Sequence, residues 1–402
     1  MMCALIAIKV CNWGVNPVLL HPLKKYLMHK LQMVDLKRQY QKIKPEVDAA
    51  IQEVIDNTAF IGGPAVQEFG KELAAYLDVK HVIPCANGTD ALQIALMALD
   101  LQPGDEVITP SFTYIATVEV VALLRLKPVF VDVDADTFTM NIDSVKAAIT
   151  PKTKAIIPVH LYGQCVDMEP LLAVANAHNI PVVEDNAQAI GGTYTFSDGR
   201  TVKTGTMGII GCTSFFPSKN LGCYGDGGAM FTNDDQLADK LKMIANHGQK
   251  VRYYHEMVGC NSRLDAIQAA VLRVKLRRLD EYCDARRSAA DYYDAAFKNN
   301  AKLTTPFRAA YSKHVFHQYT LMVNGVDRDE LSAKLAERGV PNMIYYPVAS
   351  HKQQMLAHYH VAGTVLPVTD MLQPVVISLP MHTELTEEEL AFITKNVLEL
   401  VG

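Results

Sequence analysis

The stretch His81-Val82-Ile83-Pro84-Cys85-Ala86-Asn87-Gly88-Thr89-Asp90-Ala91-Leu92-Gln93-Ile94-Ala95-Leu96-Met97-Ala98-Leu99 changes its period halfway along. His81 to Pro84 reads as a short buried strand, and from Asp90 to Leu99 the apolar positions recur at helical spacing. Gly88-Thr89-Asp90 stands at the junction and opens the helix. Free backbone N–H groups and the positive helix end can receive a phosphate there, glycine lets a ligand approach the backbone, and the threonine hydroxyl adds a donor. Taken alone, the same residues serve as a capped helix start, which is the commoner arrangement.

Outward from this unit the alternation repeats. Glu106-Val107-Ile108-Thr109, Pro128-Val129-Phe130-Val131, Ala155 to Val159 and Pro181-Val182-Val183 read as buried strands, and Glu169 to His178 carries helical spacing. Strands alternating with crossover helices predict an α/β fold with a mostly parallel sheet. Thr193 to Lys203, with Ser197-Asp198-Gly199 at its middle, reads as a polar hairpin insertion. Cys212 to Phe216 and Gly228 to Thr232 resume strand composition. Apolar positions from Leu264 to Leu279 predict one long helix linking two domains. Beyond it, Gln318 to Val323 reads as a strand, Asp327 with Glu330 and Thr386 with Glu389 read as helix starts, and Gly339 reads as a stop. The expected division is a leader, 1–32, outside the fold, a large domain over 33–280, and a smaller α+β C-terminal domain over 281–402.

The bulk composition bounds the function. With 402 residues, 49% of them hydrophobic and 20% charged, the chain can bury a sizeable core. Its formal net charge of -5 is spread without a block of like charge, which argues against nucleic acid and anionic membrane partners. The eight cysteines show no paired CxxC spacing, so no metal site is expected, and free thiols suit a reducing cytoplasm. The apolar stretch from Met1 to about Leu20 is interrupted by Lys9, Asn12, Asn16 and Pro17, too soon for a spanning helix.

Two further segments carry chemistry. Cys212 to Gly222 delivers Lys219 from an apolar strand toward the glycine-rich turn Gly225-Asp226-Gly227-Gly228. Partial desolvation there lowers the cost of a neutral, nucleophilic amine, as a Schiff-base lysine requires. Asp185 ends the strand Ile180 to Glu184, where open α/β sheets present groups to ligands, and can pair with a protonated ring nitrogen. Gln188 can reach the same ligand. Alone, Lys219 reads as an ordinary solvated lysine, as most lysines are, and Asp185 reads equally as a helix N-cap.

Cys85 to Leu92, Thr109 to Thr117, Glu184-Asp185-Asn186-Ala187-Gln188-Ala189, the Lys219 segment and Asn261-Ser262-Arg263-Leu264-Asp265 occur in the order in which the DegT/StrS-type sugar aminotransferases carry them, from about Met33 to the C-terminus. The chain resembles that family. The resemblance implies a pyridoxal 5'-phosphate (PLP)-dependent transferase of fold type I, acting as a homodimer with active sites at the subunit interface. It makes Lys219 the cofactor-bearing lysine and proton shuttle, Asp185 the partner of the pyridine nitrogen, and Gln188 a contact on the ring hydroxyl side. Tyr114, by itself an ordinary core tyrosine, would stack on the ring. Gly88, Thr89 and Ser214 would hold the phosphate, with Asn261 reaching it from the neighbouring subunit. Tyr345 and Tyr346 would line the sugar site, and Arg263 would meet an anionic substrate group or make an interface ion pair. The chain departs from the family in Tyr345-Tyr346-Pro347, where many members have His-Tyr-Pro, and in Asn186, commonly alanine.

The resemblance further implies amino transfer from an amino acid such as L-glutamate to a nucleotide-linked keto sugar. The look of the Lys219 segment is nearest to the branch that aminates UDP-2-acetamido-2-deoxy-3-keto-glucuronic acid for bacterial surface polysaccharide. The alternatives are a 4-keto or dTDP-sugar aminotransferase and a non-catalytic PLP-binding regulatory protein. The regulatory reading predicts loss of a catalytic group, and Lys219, Asp185 and Gln188 are all present.

Overall fold

A computed structural model describes residues 30–361 and 363–402. The expected leader lies outside the described residues, apart from Lys30 to Gln32. Leu31 is buried among the apolar residues of the C-terminal unit, and the Met33 carbonyl accepts from the Met381 amide, so the packed chain includes at least two residues ahead of the expected start at Met33.

The large unit contains strands β1 (His81–Cys85), β2 (Glu106–Pro110), β3 (Lys127–Val131), β4 (Thr153–Ile156), β5 (Val183–Asp185), β6 (Thr193–Thr195), β7 (Thr201–Lys203), β8 (Ile210–Ser214) and β9 (Gly228–Thr232). Sheet β3-β2-β4 is parallel, and β5-β8-β9-β1 is parallel between β5 and β8. Parallel bridges Ile156 to Val182 and Val159 to Asp185 join the two into one surface. β9 runs antiparallel to both its neighbours, β8 and β1. The reason is local: the segment after β8 contains no crossover helix, and without one a strand returns antiparallel. That return segment carries Lys219. β6 and β7 form the expected hairpin.

Both faces of this sheet are covered. Met230 faces a core with Ile83, Val183, Ile210 and the helix Gly88–Ala98. Its neighbours Ala229 and Phe231 face the opposite core, with Phe69, Leu73 and Leu272. Leu92, Ile94 and Leu96 of the helix Gly88–Ala98 are buried. Each contributes about 1.5–3 kcal/mol, against about 1 kcal/mol for an N-cap. Packing therefore makes this helix, and the cap decides only where it starts.

The single helix expected from Leu264 to Leu279 is two: Ala266–Leu276 and Leu279–Phe297. Arg278 leaves helical geometry at φ -115°, ψ 4°, and the axis changes there. Val271 and Val274 pack on Ile43 and Val47 of the N-terminal helix Leu36–Asp56, while Leu272 and Leu276 share one core with Leu279, Cys283, Ile190 and Phe215. The apolar period runs unbroken through this shared core and so does not mark the break at Arg278. The linking element is the second helix, whose far end, Ala289 to Phe297, enters the C-terminal core, so the expected boundary at residue 280 falls in its first turn.

The C-terminal unit has an antiparallel sheet of Leu303–Thr304, Tyr319–Val323 and Val376–Leu379. The expected Thr386/Glu389 capping box starts the helix Glu387–Val401. Asp327 caps the helix Arg328–Glu337 by accepting from the Asp329 and Glu330 amides, and Gly339 follows it at φ +79°. Among the described residues no helix is long and apolar enough to cross a membrane.

Candidate active site

The C-terminal ends of β1, β2, β5 and β8 open onto one cavity of about 680 Å³. Open α/β sheets bind ligands at this edge because helix N-termini and strand-end loops converge there.

After β1, Asn87 stands in extended geometry and its Oδ1 accepts from the Asp90 amide at 2.8 Å, which starts the helix at Gly88. The first helical amides have no carbonyl four residues earlier to meet, so the Gly88-Thr89 turn presents donors and the positive helix end to the cavity. A Cβ on Gly88 would lie 2.6 Å from the Ser214 Cβ. Glycine is needed because the turn is pressed onto the end of β8. The Ser214 Oγ accepts from the Phe216 amide at 3.2 Å.

After β5, Asp185 is buried, yet its carboxylate reaches the cavity wall. Thr117 Oγ1 donates to Oδ2 at 2.8 Å and the Ala187 amide donates to Oδ1 at 3.1 Å. Burial pushes the carboxyl upward against these two donors and the nearby Lys219 charge. Behind it lies a pair that sequence reasoning missed. His160 and Glu184 are fully buried, with His160 Nε2 2.8 Å from Glu184 Oε2. His160 Nδ1 accepts from the Val166 amide, so Nε2 is the donor to Glu184. Glu184 also accepts from the amides of Gly205, Met207 and Gly208, and the His160 amide donates to the Asp185 carbonyl. The polar His160 directly after the buried run 155–159 was the available signal.

After β8, the chain turns back on itself and places Lys219 in the cavity, with its amide donating to the Phe216 carbonyl. Burial pushes its amine down to about 8, opposed by the negative charge of Asp185. Among the described residues its ammonium has no hydrogen-bond partner.

The opposite wall comes from the C-terminal unit and one loop after β4. Gln188 Oε1 accepts from the Tyr162 amide at 2.7 Å, and Gln188 Nε2 donates to the Tyr346 hydroxyl at 3.0 Å. The Tyr162 hydroxyl donates to the Tyr345 carbonyl. Tyr114 is exposed to the cavity, its ring centroid 6.0 Å from that of Tyr346. His317 and Gln318 complete this wall and were not foreseen. His317 is held well below the usual imidazole range by burial, then by the Lys219 and Arg286 charges, and is neutral.

The cavity thus gathers Gly88, Thr89, Tyr114, Asp185, Gln188, Ser214, Lys219, Tyr345 and Tyr346. It does not gather Asn261 and Arg263 of the same chain. Both are exposed; Asn261 bridges to Asn246, and Arg263 lines a separate cleft with Lys71, Lys80 and Lys242. Lys219 is the one cationic side chain among the described residues lining the cavity, against Asp90, Glu119, Asp185 and Asp226. Among the described residues no cluster of His, Cys, Asp or Glu could hold a metal. The donor set fits PLP instead: a helix N-terminus with room made by glycine for a phosphate, a buried carboxylate for a ring nitrogen, and an amine lowered toward its neutral form.

Comparison with known proteins agrees with that chemistry. A model of the DegT/DnrJ/EryC1/StrS aminotransferase family matches residues 41–398. The UDP-2-acetamido-2-deoxy-3-oxo-D-glucuronate aminotransferase of Pseudomonas aeruginosa is 46% identical over 363 residues, covering 90% of this chain and 98% of that protein. The UDP-N-acetyl-3-dehydro-alpha-D-glucosamine 3-aminotransferase of Acidithiobacillus ferrooxidans is also 46% identical over 363 residues, with 90% and 96% covered. The solved structure of NtdA from Bacillus subtilis with bound cofactor PMP superposes with a TM-score of 0.86 at 32% identity, covering 93% of this chain and 86% of that one.

Proposed function

The chain belongs to the DegT/DnrJ/EryC1/StrS aminotransferase family and is a PLP-dependent enzyme of fold type I, and from that premise we propose that it aminates C3 of a UDP-linked 3-keto sugar, UDP-2-acetamido-2-deoxy-3-keto-glucuronic acid, with L-glutamate as donor. The observation that carries amino transfer is the pairing of Lys219, lowered to about 8, with the buried carboxylate of Asp185 across one cavity. The two UDP-3-oxo-sugar relatives support the choice of acceptor.

When bound, PLP supplies an electron sink that stabilises negative charge on the carbon bearing the transferred nitrogen. This chain's residues do the rest. Asp185, kept in place by Thr117 and Ala187, would hold a proton on the ring nitrogen, and the Gly88-Thr89 turn with Ser214 would grip the phosphate. Lys219 Nζ would hold the cofactor and would move the proton on and off the carbon bearing the transferred nitrogen in both halves of the exchange. Gln188 contacts the ring hydroxyl side while fixing Tyr346, and Tyr114 covers one ring face. Tyr345 and Tyr346 face the sugar.

In this reading the working unit is a homodimer, and Asn261 and Arg263 enter the neighbouring subunit's cavity. The charge balance supports this: a phosphate, a diphosphate and a uronate carboxylate would enter a cavity lined by four carboxylates and one lysine. Cations from elsewhere are required. The described cysteines, all free, accord with a cytoplasmic enzyme feeding surface polysaccharide synthesis. A panel of UDP- and dTDP-linked 3-keto and 4-keto sugars, each incubated with L-glutamate and read by mass spectrometry, tests the assignment. The expected product is the 3-amino uronic acid, and preferential turnover of a 4-keto or neutral sugar overturns the acceptor while leaving amino transfer standing.

A further inference from the structure

Lys275 lies outside the cavity, in the helix Ala266–Leu276, and at 1% exposed is more completely enclosed than the half-buried Lys219. No carboxylate pairs with it among the described residues, and burial pushes its amine down to about 8, so an apolar side chain of similar length would be cheaper at this position. Its Nζ donates to the Gly222 carbonyl at 2.6 Å and lies 5.0 Å from the Tyr224 ring centroid.

Gly222 ends the turn that carries Lys219. The Lys219 amide donates to the Phe216 carbonyl and the Cys223 amide to the Phe215 carbonyl, which closes the turn at its base. A Cβ on Gly222 would lie 2.3 Å from the Pro217 carbonyl oxygen, so the closure admits no side chain. Gln268, two turns before Lys275 on the same helix, accepts from the Tyr224 amide through Oε1 at 2.8 Å. One helix face therefore grips the base of the turn at two points.

We propose that Lys275 is a positioning residue for Lys219: its Nζ, donating to the Gly222 carbonyl, clamps the turn Phe216–Gly222 from behind and so sets where the Lys219 amine stands relative to Asp185. This rests on the reading of Lys219 as the cofactor-bearing lysine. The test compares the full-length dimer carrying Lys275→Met, which keeps length and loses the donor, with Lys275→Gln, which keeps a donor, and with Val271→Ala. Val271 is fully buried on the same helix, where it packs on Ile43 and Val47 in a cluster that Tyr224 borders, so its truncation loosens the packing of the helix without removing the bond to Gly222.

Lys275→Met is expected to lower kcat of the glutamate half-reaction about tenfold with little change in KM, as small displacements of a reacting group do. It should also alter the ratio of visible to near-ultraviolet cofactor absorbance at fixed pH and reduce the fraction of cofactor that borohydride fixes to the protein. Lys275→Gln should recover part of both signals. Val271→Ala should lower the melting temperature and leave the absorbance ratio unchanged. An unchanged ratio and kcat in Lys275→Met, an equal change in Val271→Ala, or loss of soluble protein in both Lys275 variants overturns the proposal. Borohydride fixation to a different lysine in the wild type would instead overturn the Lys219 reading on which it rests.

Discussion

On the sheet side of the cavity, Gly88, Asp185, Ser214 and Lys219 each stand at the end of a strand or within a few residues of one. On the other side, Tyr345 is held by Tyr162 and Tyr346 by Gln188, bonds that span 183 and 158 residues. The first wall is assembled by local geometry, with strand ends, a capped helix and a tight turn. The second exists only once the C-terminal unit has docked, with the buried Arg286 Nη1 donating to the Phe316, His317 and Met381 carbonyls across the join. We assign proton transfer and the phosphate and ring-nitrogen contacts to the first wall and acceptor recognition to the Tyr345–Tyr346 pair of the second, and substitutions at these two sets should separate accordingly.

The largest expected effect is on the sheet side. Lys219→Ala should reduce turnover by at least about 10⁴-fold, because nucleophile and proton carrier are lost together. Its fold should persist by circular dichroism, since the side chain adds little to the core. Residual turnover within tenfold of wild type would break the comparison by showing that the chemistry lies elsewhere.

Asp185→Asn comes next, with a loss of about 10- to 100-fold from a hydrogen bond to a charged group, on the order of 1.5–3 kcal/mol. It also has a pH signature. Only the neutral amine of Lys219 captures added PLP, and burial places that amine at about 8, so capture by cofactor-free enzyme should accelerate as pH rises through about 8. The Asp185 charge opposes this lowering, and removing it should move the midpoint to lower pH. A midpoint near the ordinary lysine value in stopped-flow traces would contradict the buried setting of Lys219.

Arg263→Lys tests whether the second wall includes the neighbouring subunit. An ammonium cannot reproduce the two parallel bonds of a guanidinium to a carboxylate. The uronate half-reaction should therefore lose about 10- to 100-fold in kcat/KM and the glutamate half-reaction less. Equal losses in both would make Arg263 a structural ion-pair residue of the interface. Tyr346→Phe should have the smallest effect. Losing the bond from Gln188 costs about 0.5–1.5 kcal/mol, read as a rise in KM for the keto sugar of roughly two- to tenfold with cofactor retention unchanged. Loss of cofactor in Tyr346→Phe would erase the distinction between the walls.

The same contrast explains what the sequence made legible. Strand-helix alternation from His81 onward, the hairpin at Thr193 to Lys203 and the Thr386/Glu389 cap follow from periods and turn residues within one segment, and the structure reproduces them. The Lys219 and Asp185 motifs are also local. His317, the His160–Glu184 pair and the docking of Gln188 on Tyr346 depend on contacts between distant segments, which no single segment encodes. The helix from Leu264 to Leu279 was misread for a related reason. Its apolar spacing is continuous because Leu272 and Leu276 before Arg278 and Leu279 after it join one core, and the break lies in the Arg278 backbone alone. Leu31 was missed because its partners lie at the far end of the chain, among them Ile393 and Val397.

The account turns on Lys219 bearing the cofactor, and borohydride reduction of the PLP-loaded enzyme followed by peptide mass mapping tests it most directly. The predicted result is loss of the visible absorbance and a pyridoxyl adduct on the peptide containing Lys219, absent when L-glutamate has first been added to convert the cofactor to its amine form. An adduct on any other lysine, or an adduct that survives prior treatment with L-glutamate, would contradict it.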